Sequence, residues 1–343
     1  MKNLFFLVVL CCVVATTATL VSAQSTAAKT LNKAVYDFLA DTTTSIGFNA
    51  IHQSYFGDNI LHAPTSKCTN YTTWPAASDL QADSTMASIL ARKYILFGAN
   101  SVANVPKRFN YTAVGSNYGK CTGFEADIAA SIAYRIGMNY AGVPFQAYFT
   151  NDTTVFGNLI TDMGNLRFDF ILSGMSVEGT VTLPSGQTVP RTDLIDFTCP
   201  YIKDGNGVVK GNLGSAISSL SDLNQKTVNL CVQSGTSMET LAKSNFPNAN
   251  ITSFSLGADP YTKTLNADFC HAYLAPIINA LYQVKLDATK LSYVGDVGAT
   301  SNVAVGVRKS STPTAASSKK SNASVAALQL IVALLSLISF MLL

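Results

Sequence analysis

The chain has 343 residues, of which 48% are apolar and only 13% are charged, and its formal net charge at pH 7 is +3. Beyond the pair Lys319-Lys320 there is no basic cluster, which argues against a nucleic-acid partner because such a partner needs a concentrated positive surface. The three histidines have no metal-site spacing and no phosphate-binding glycine loop occurs, so we expect neither a metal nor a cofactor.

The N-terminus has the pattern of a secretory signal peptide. Lys2 precedes an apolar run, residues 4–14, and small residues follow, ending in Val21-Ser22-Ala23. We expect residues 1–23 to be removed, so that the mature chain begins at Gln24. A membrane anchor is the alternative, but the apolar run is too short to cross a hydrocarbon core about 30 Å thick.

The C-terminus predicts a glycosylphosphatidylinositol (GPI) anchor. Residues 325–343 are apolar and no charge follows them, whereas a membrane-spanning segment normally carries Lys or Arg on its cytoplasmic side. Residues 309–324 are small and polar, as expected of a flexible stalk with the attachment site near its end. Asn322, Ser321 and Ala316 are the candidate attachment residues, and a tail-anchored span is the alternative.

Five N-glycosylation sequons agree with a secreted protein on the outer face of the plasma membrane. They begin at Asn70, Asn110, Asn151, Asn250 and Asn322. Of the seven cysteines, Cys11 and Cys12 leave with the signal peptide, so at least one of the remaining five stays unpaired. An oxidising compartment permits disulfides, and we favour a pairing of Cys68 with Cys121.

Residues 24–308 are long enough for two lobes, because about 290 residues exceed one typical core. Hydrophobic periodicity predicts alternating elements: strand 95–98, a helix 124–136 stopped by Gly137, strand 144–149, helix 154–165, strand 169–173, strand 228–232 and helix 238–246. This alternation predicts an α/β fold with largely parallel sheets. Residues 182–189 read as a small hairpin inserted before Arg191.

Six motifs in this order resemble type II periplasmic solute-binding proteins of the amino-acid-binding cluster, bacterial extracellular solute-binding protein family 3. They span residues 95–309 and are Gly123-Phe124-Glu125-Ala126-Asp127-Ile128-Ala129, Phe168-Asp169-Phe170-Ile171-Leu172-Ser173-Gly174-Met175-Ser176, Asp196-Phe197-Thr198-Cys199-Pro200-Tyr201, residues 223–228 with Gly235-Thr236-Ser237, Ala267-Asp268-Phe269-Cys270, and residues 303–309. The resemblance implies a two-lobed fold, with lobe one at 24–204 plus 301–308 and lobe two at 205–300.

The family's terminal helices are missing after Lys309, and a similar pair stands at the front of this chain. Residues 31–41 and 48–58 look like that missing end, and Leu31, Val35 and Phe38 form an amphipathic stripe. We therefore predict a circular permutation, which succeeds where termini lie close in space. An unrelated helical pair is the alternative, and it would lie far from the strand at 303–307.

The resemblance also implies a set of ligand-binding residues. Arg191 stands five positions before Asp196, where the family places the arginine that clamps a ligand carboxylate. A guanidinium suits that role because its planar fork binds a carboxylate through two hydrogen bonds. The other candidates are Ser173, Gly174 and Ser176 at a strand end, Gly235, Thr236 and Ser237 before a helix, Phe109 or Tyr111 as a stacking ring, and Tyr273.

Tyr273 marks a departure from the family. Amino-acid binders carry an Asp at the matching position to hold the ligand's α-ammonium, and this chain has a tyrosine there. Either the ligand lacks an α-ammonium or another group holds it. The inserted segment 178–190 also separates Arg191 from its usual sequence neighbours.

Three functions follow from these patterns. The first is a non-catalytic, cell-surface protein that captures a small carboxylate-bearing molecule by lobe closure, with a membrane transporter or receptor as its partner. The second is a secreted enzyme similar to cyclohexadienyl dehydratases, although the acidic positions of that branch match Tyr273 and Pro276, which are not acids. The third is a ligand-free sensory or adhesive ectodomain.

Overall fold

A computed structural model describes residues 24–57, 70–101, 104–151, 159–182, 186–212, 216–234, 237–254 and 269–309. The predicted signal peptide and GPI region lie outside these ranges, as does the predicted stalk after Lys309. Within them, no helix is both long and apolar enough to cross a membrane.

Helices cover one large mixed sheet. The helices are α1 (Thr26–Ala40), α2 (Phe48–Phe56), α3 (Ala77–Ala82), α4 (Ser84–Arg92), α5 (Phe124–Ala141), α6 (Leu159–Gly164), α7 (Ser237–Asn245) and α8 (Ile277–Leu286). The strands are β1 (Tyr94–Gly98), β2 (Phe109–Ala113), β3 (Tyr118–Thr122), β4 (Gln146–Thr150), β5 (Phe170–Ile171), β6 (Thr180–Thr182), β7 (Thr188–Pro190), β8 (Ile195–Gly211), β9 (Asn229–Gln233), β10 (Asn250–Phe254), β11 (Ala272–Pro276) and β12 (Leu291–Arg308).

Ten of these strands form one sheet in the order β10-β9-β11-β8-β12-β5-β1-β4-β3-β2. β1 pairs in parallel with β4 and β5, and β9 pairs in parallel with β10 and β11, as expected of alternating strands and helices. β6 and β7 form the separate hairpin that the inserted segment predicts. The α/β fold class is therefore confirmed.

Two long antiparallel strands, β8 and β12, run through both halves of the sheet. Residues 195–204 of β8 pair with 301–308, and residues 206–211 pair with 291–297. The register shifts between Val297 and Ser301, next to the lobe boundaries at 204/205 and 300/301 that the sequence predicts. A pair of strands with a break in its ladder is a suitable connection between two lobes that move.

The N-terminal helix α1 belongs to the core of lobe one. Leu31, Val35 and Phe38 are fully buried, in the same apolar cluster as Val303 and Val305 of the returning strand β12. The Asn32 side-chain oxygen also accepts a hydrogen bond of 2.7 Å from the backbone amide of Cys199 on β8. This is the contact that a circular permutation requires; the permutation itself stays a prediction.

The C-terminal end predicted for helix α5 is wrong. Gly137 is buried inside α5, which continues to Ala141 and ends at Gly142 with φ of +67°. A Cβ at Gly137 would lie 2.4 Å from the backbone nitrogen of Phe145. The glycine therefore allows the close approach of the following loop, and this requirement has no mark in the local sequence.

The predicted cysteine pairing is also wrong. Cys231 on β9 forms a disulfide with Cys270, which precedes β11, the strand beside β9 in the sheet. Cys199 is disulfide-bonded as well. Cys121 carries a free thiol, which agrees with the odd number of cysteines in the mature chain. It therefore excludes the predicted bond between Cys121 and Cys68. Cys68 itself lies outside the described residues.

Candidate functional site

The predicted ligand-binding segment 173–176 leaves the carboxyl end of β5, next to the carboxyl end of β1. β5 and β1 are parallel neighbours, and the Ser173 hydroxyl donates to the Asn100 side-chain oxygen over 2.7 Å. The backbone amide of Asn100 donates back to the same hydroxyl at 3.1 Å. Both side chains therefore lie at the edge where open α/β sheets bind their ligands.

Backbone hydrogen bonds hold the rest of this segment against β12. The Ala304 amide donates to the Met175 carbonyl (3.1 Å), and the Val177 amide donates to the Asn302 carbonyl (2.8 Å). Ser176 forms an isolated bridge with Val303. These bonds fix the direction in which Ser176 presents its carbonyl and hydroxyl.

Arg191 lies directly over Ser176. Its Nη1 donates to both the carbonyl and the hydroxyl oxygen of Ser176, each at 2.9 Å. The backbone amide of Arg191 donates to Gly179 at 3.0 Å, and a Cβ at Gly179 would lie 2.3 Å from Nη1. The hairpin β6–β7 thus brings Arg191 back to the strand end, with Gly179 leaving room for the guanidinium.

Burial changes the electrostatic environment of this guanidinium. Arg191 is half-buried, and desolvation lowers its pKa from the ordinary arginine value. Partial burial strengthens the attraction for an anion, since the local dielectric constant is lower than that of water. The structure therefore brings together two of the predicted ligand residues, Arg191 and Ser176.

A buried ion pair supports the other end of the segment. Arg108 and Glu125 are fully buried and form a direct ion pair. Arg108 also donates to the Leu172 carbonyl (3.0 Å) and the Asn100 side chain (3.1 Å), and Tyr201 donates to Glu125 over 2.7 Å. Desolvation lowers the pKa of Arg108 to about 10, so it stays charged at pH 7.

Lys107 is a residue of this site that the sequence motifs do not identify. A Cβ built on Gly174, which has φ of +61°, would lie 2.5 Å from the Lys107 ammonium nitrogen. The signal that points to it is the pair of cations, Lys107 and Arg108, in the loop between β1 and β2.

The remaining predicted ligand residues are less well placed or not described. Tyr273 packs in the lobe-two core with the Cys231–Cys270 disulfide and is only 6% exposed. Phe109 is half-buried at the start of β2, opposite Thr122. Gly235 and Thr236 lie outside the described residues, and Ser237 begins α7. The structure thus describes the lobe-one half of the predicted site.

The four sequon asparagines among the described residues are exposed: Asn70, Asn110, Asn151 and Asn250. Asn110 and Asn250 lie on β2 and β10, the two outermost strands of the ten-stranded sheet. Asn322 lies outside the described residues. Glycosylation at all five positions stays a prediction.

The geometry defines a class of fold, the two-lobed fold of periplasmic amino-acid-binding proteins, and a solved structure agrees. An ancestral cationic amino acid solute-binding protein is 23% identical over 66% of this chain and 86% of its own, with a TM-score of 0.50. The fold assignment rests on this similarity.

Two further similar structures have lower scores. The L-cystine solute receptor of Neisseria gonorrhoeae is 17% identical over 66% of this chain and 84% of its own, with a TM-score of 0.47. An ancestral cyclohexadienyl dehydratase is 21% identical over 65% and 82%, with a TM-score of 0.40. No protein-family model matches the sequence, and no curated protein matches it either.

Proposed function

We propose that this chain is a non-catalytic solute-binding protein that captures a small carboxylate-bearing molecule, an amino acid or related organic acid, between its two lobes. The observation that carries the proposal is the position of Arg191. Its half-buried guanidinium lies on Ser176, at the sheet edge where folds of this class bind ligands. In this position one carboxylate can accept hydrogen bonds from the guanidinium and from the adjoining strand end.

Closure of the lobes would complete the site. Ser237 is the first residue of α7, and the amides at the start of a helix attract an anion. A ligand that contacts Arg191 in lobe one and these amides in lobe two binds the closed state more tightly than the open state. It therefore shifts the equilibrium toward closure.

Substitution of Arg191 tests this mechanism. The purified full-length protein is first screened by thermal shift against amino acids, keto acids and prephenate-like acids, since a specific ligand raises the melting temperature by mass action. For the best ligand, we expect Arg191→Met to weaken binding about 10- to 100-fold in calorimetry, because two charge-assisted hydrogen bonds are lost. Arg191→Lys should restore only part of the affinity, since an ammonium lacks the planar fork.

Arg167→Met is the matched control. Arg167 precedes β5, at the opposite end of the strand from Ser173, and is exposed. Its replacement should leave the dissociation constant unchanged within about twofold. Equal affinities for Arg191→Met and the parent protein would show that the proposed carboxylate site is wrong.

The non-catalytic part of the proposal is supported by the lobe-two residues. The positions that match the acids of the dehydratase branch are Tyr273 and Pro276, and Tyr273 is buried in the core. Expulsion of water from a substrate needs a general acid, and neither position carries the carboxylic acid of that branch. Turnover of prephenate by the purified protein would overturn this part.

The cellular part of the proposal rests on the two termini and the sequons. We place the protein on the outer face of the plasma membrane, with a GPI lipid near Asn322 and a transporter or receptor as its partner. Phosphatidylinositol-specific phospholipase C should release it from intact cells. Retention after that treatment, with a known GPI protein released in parallel, would favour a membrane-spanning tail.

A further inference from the structure

The two outermost strands of the ten-stranded sheet each pair with a neighbour on one side. β2 (Phe109–Ala113) pairs with β3, and β10 (Asn250–Phe254) pairs with β9. Among the described residues, no other strand pairs with either of them. The outer side of such a strand presents backbone donors and acceptors that can pair with a strand of another chain.

Neither strand has a sequence that protects an edge. Lysines, other charged residues and prolines are common protecting residues, and the sequences Phe-Asn-Tyr-Thr-Ala and Asn-Ile-Thr-Ser-Phe contain none of them. Threonine, tyrosine, isoleucine and phenylalanine instead favour strand pairing. The sheet therefore has two uncharged edges that are suited to pairing with a second copy of the chain.

The two edges differ in regularity. β10 pairs with β9 in unbroken register from Asn250 to Phe254. β2 has a register shift between Phe109 and Thr112, and Asn110 within it has a φ of +51°. Because a bulge bends and twists an edge strand, β2 has some protection of its own and β10 has less.

Each edge strand carries an N-glycosylation sequon within its first two residues. Asn110 and Asn250 are exposed on β2 and β10, whereas Asn70 and Asn151 lie outside the strands. An N-linked oligosaccharide is bulky and hydrated. On an edge strand it occupies the space that a second strand needs.

We propose that N-glycans on Asn110 and Asn250 protect the two sheet edges from pairing with a second copy of this chain. In this modification the sugar C1 bonds to the asparagine Nδ2, its bond to the diphosphate of a lipid-linked oligosaccharide donor breaks, and Nδ2 loses one proton. The N–H that remains on Asn250 can still donate to the Asn229 side-chain oxygen, which Nδ2 contacts at 2.8 Å. The inference depends on the secreted location proposed above and is independent of the ligand.

The experiment removes the edge sequons without changing the asparagines. The full-length chain is expressed in eukaryotic secretory cells, glycopeptide mass spectrometry measures the occupancy of each sequon, and sedimentation velocity measures self-association of the purified protein. Thr112→Ala/Thr252→Ala abolishes both edge sequons, and Thr112→Ser/Thr252→Ser preserves them. We expect the alanine variant to self-associate at least about tenfold more strongly than the parent protein, an effect equal to one or two added hydrogen bonds. The serine variant should stay monomeric.

Asn70→Gln/Asn151→Gln is the matched control, because it removes two glycans that do not lie on an edge strand. It should leave self-association unchanged. Of the single variants, Thr252→Ala should have a larger effect than Thr112→Ala, since β10 lacks a bulge.

A charged residue on each edge separates strand pairing from loss of folding. Ala113 and Ser253 are exposed positions of β2 and β10. Adding Ala113→Lys and Ser253→Lys to the alanine variant should restore the monomer, because a lysine protects an edge in place of the glycan. A misfolded protein would not be rescued by two surface lysines.

Each outcome bears on the proposal. An unmodified Asn110 or Asn250 in the parent protein would overturn it for that edge. A monomeric alanine variant would overturn it for both, and so would equal association of the Asn70→Gln/Asn151→Gln control, which would mean that the glycans act only as general solubilising groups. Association that appears without the edge glycans and disappears with the lysines would support the proposal. Carboxylate capture is measured separately on the parent protein, so it is unaffected by any of these results.

Discussion

Lobe one and lobe two differ in what their interiors contain. Among the described residues, every buried polar or charged side chain lies in lobe one, including Arg108, Glu125 and Asp169. The buried residues of lobe two are apolar or aromatic, and a disulfide, Cys231–Cys270, joins two of its strands. A polar interior must satisfy each group with a specific partner, whereas an apolar interior with a covalent link has no such requirement.

This difference has a functional meaning. In lobe one the buried ion pair lies directly behind Asn100, Ser173 and the Leu172 carbonyl, so it fixes the strand ends that present the proposed ligand groups. Buried polar networks of this kind rigidify a site when every member is satisfied. Three sets of variants test whether the lobes differ in the way their interiors suggest.

Loss of the buried carboxylate should have the largest effect on stability. Glu125→Gln leaves the guanidinium of Arg108 buried without its counter-ion, and we expect the free energy of unfolding to fall by about 3–5 kcal/mol. Arg108 is not relieved by deprotonation, because a guanidinium keeps its charge in proteins. Urea denaturation followed by tyrosine fluorescence measures the change.

The matched control is a glutamate of lobe two. Glu239 pairs with Lys243 on the surface of α7, and Glu239→Gln should cost less than about 0.5 kcal/mol. The double variant Arg108→Met/Glu125→Gln should recover much of the loss, because it removes both buried charges. Similar losses for Glu125→Gln and Glu239→Gln would contradict the idea that lobe one depends on a buried network.

Removal of the disulfide should have the next largest effect, and it should act on lobe two. The bond links residues 39 apart, and replacing both cysteines by alanine is expected to cost about 2–4 kcal/mol. Cys121→Ala is the control, because Cys121 is a free thiol whose burial raises its pKa to about 11. Hydrogen exchange should show added opening of β9 and β11 while β1 and β5 stay protected. Equal loss of protection in both lobes would contradict this division.

Much of the fold could be predicted from the sequence, since its elements have clear periodicity. Ile128, Ile132 and Ile136 form the buried face of α5, and the segments of β1, β4 and β9 are near their expected limits. The two predictions that were wrong, the end of α5 and the cysteine pairing, depend on tertiary contacts. Gly137 is tolerated inside α5 because the next loop packs against it, and Cys231 meets Cys270 because their strands are neighbours.

The site was predicted in part, for a related reason. Arg191 was predicted from its position five residues before Asp196. It contacts Ser176 despite the inserted segment, because β6 and β7 pair and bring the chain back to the strand end. Lys107 belongs to no motif, since its place against Gly174 depends on how the loop after β1 attaches to α5. Contacts between loops from different elements have no periodic signal in a sequence.

The smallest expected effect on stability depends on pH, and it can be measured at two carboxylates, one in each lobe. Asp41, after α1, accepts hydrogen bonds from Thr44 and from Arg135 at 2.6 Å, and these bonds hold its pKa well below the usual range. Asp222 accepts bonds from the amides and hydroxyls of Ser218 and Ser219, which lower its pKa to about 2. A folded-state pKa below the unfolded value of about 3.9 stabilises the fold above that pH, and this stabilisation is lost as pH falls.

We therefore expect the urea midpoint of the parent protein to fall from about pH 4 downward, and both Asp41→Asn and Asp222→Asn to reduce that slope. Salt then separates the two lobes. Because Asp41 has a cationic partner and the hydrogen-bond partners of Asp222 are neutral, 1 M sodium chloride should diminish the effect of Asp41→Asn and leave that of Asp222→Asn unchanged. An identical response to salt at the two positions would mean that the Arg135 ion pair contributes nothing in lobe one, and that the contrast between the lobes is confined to their buried interiors.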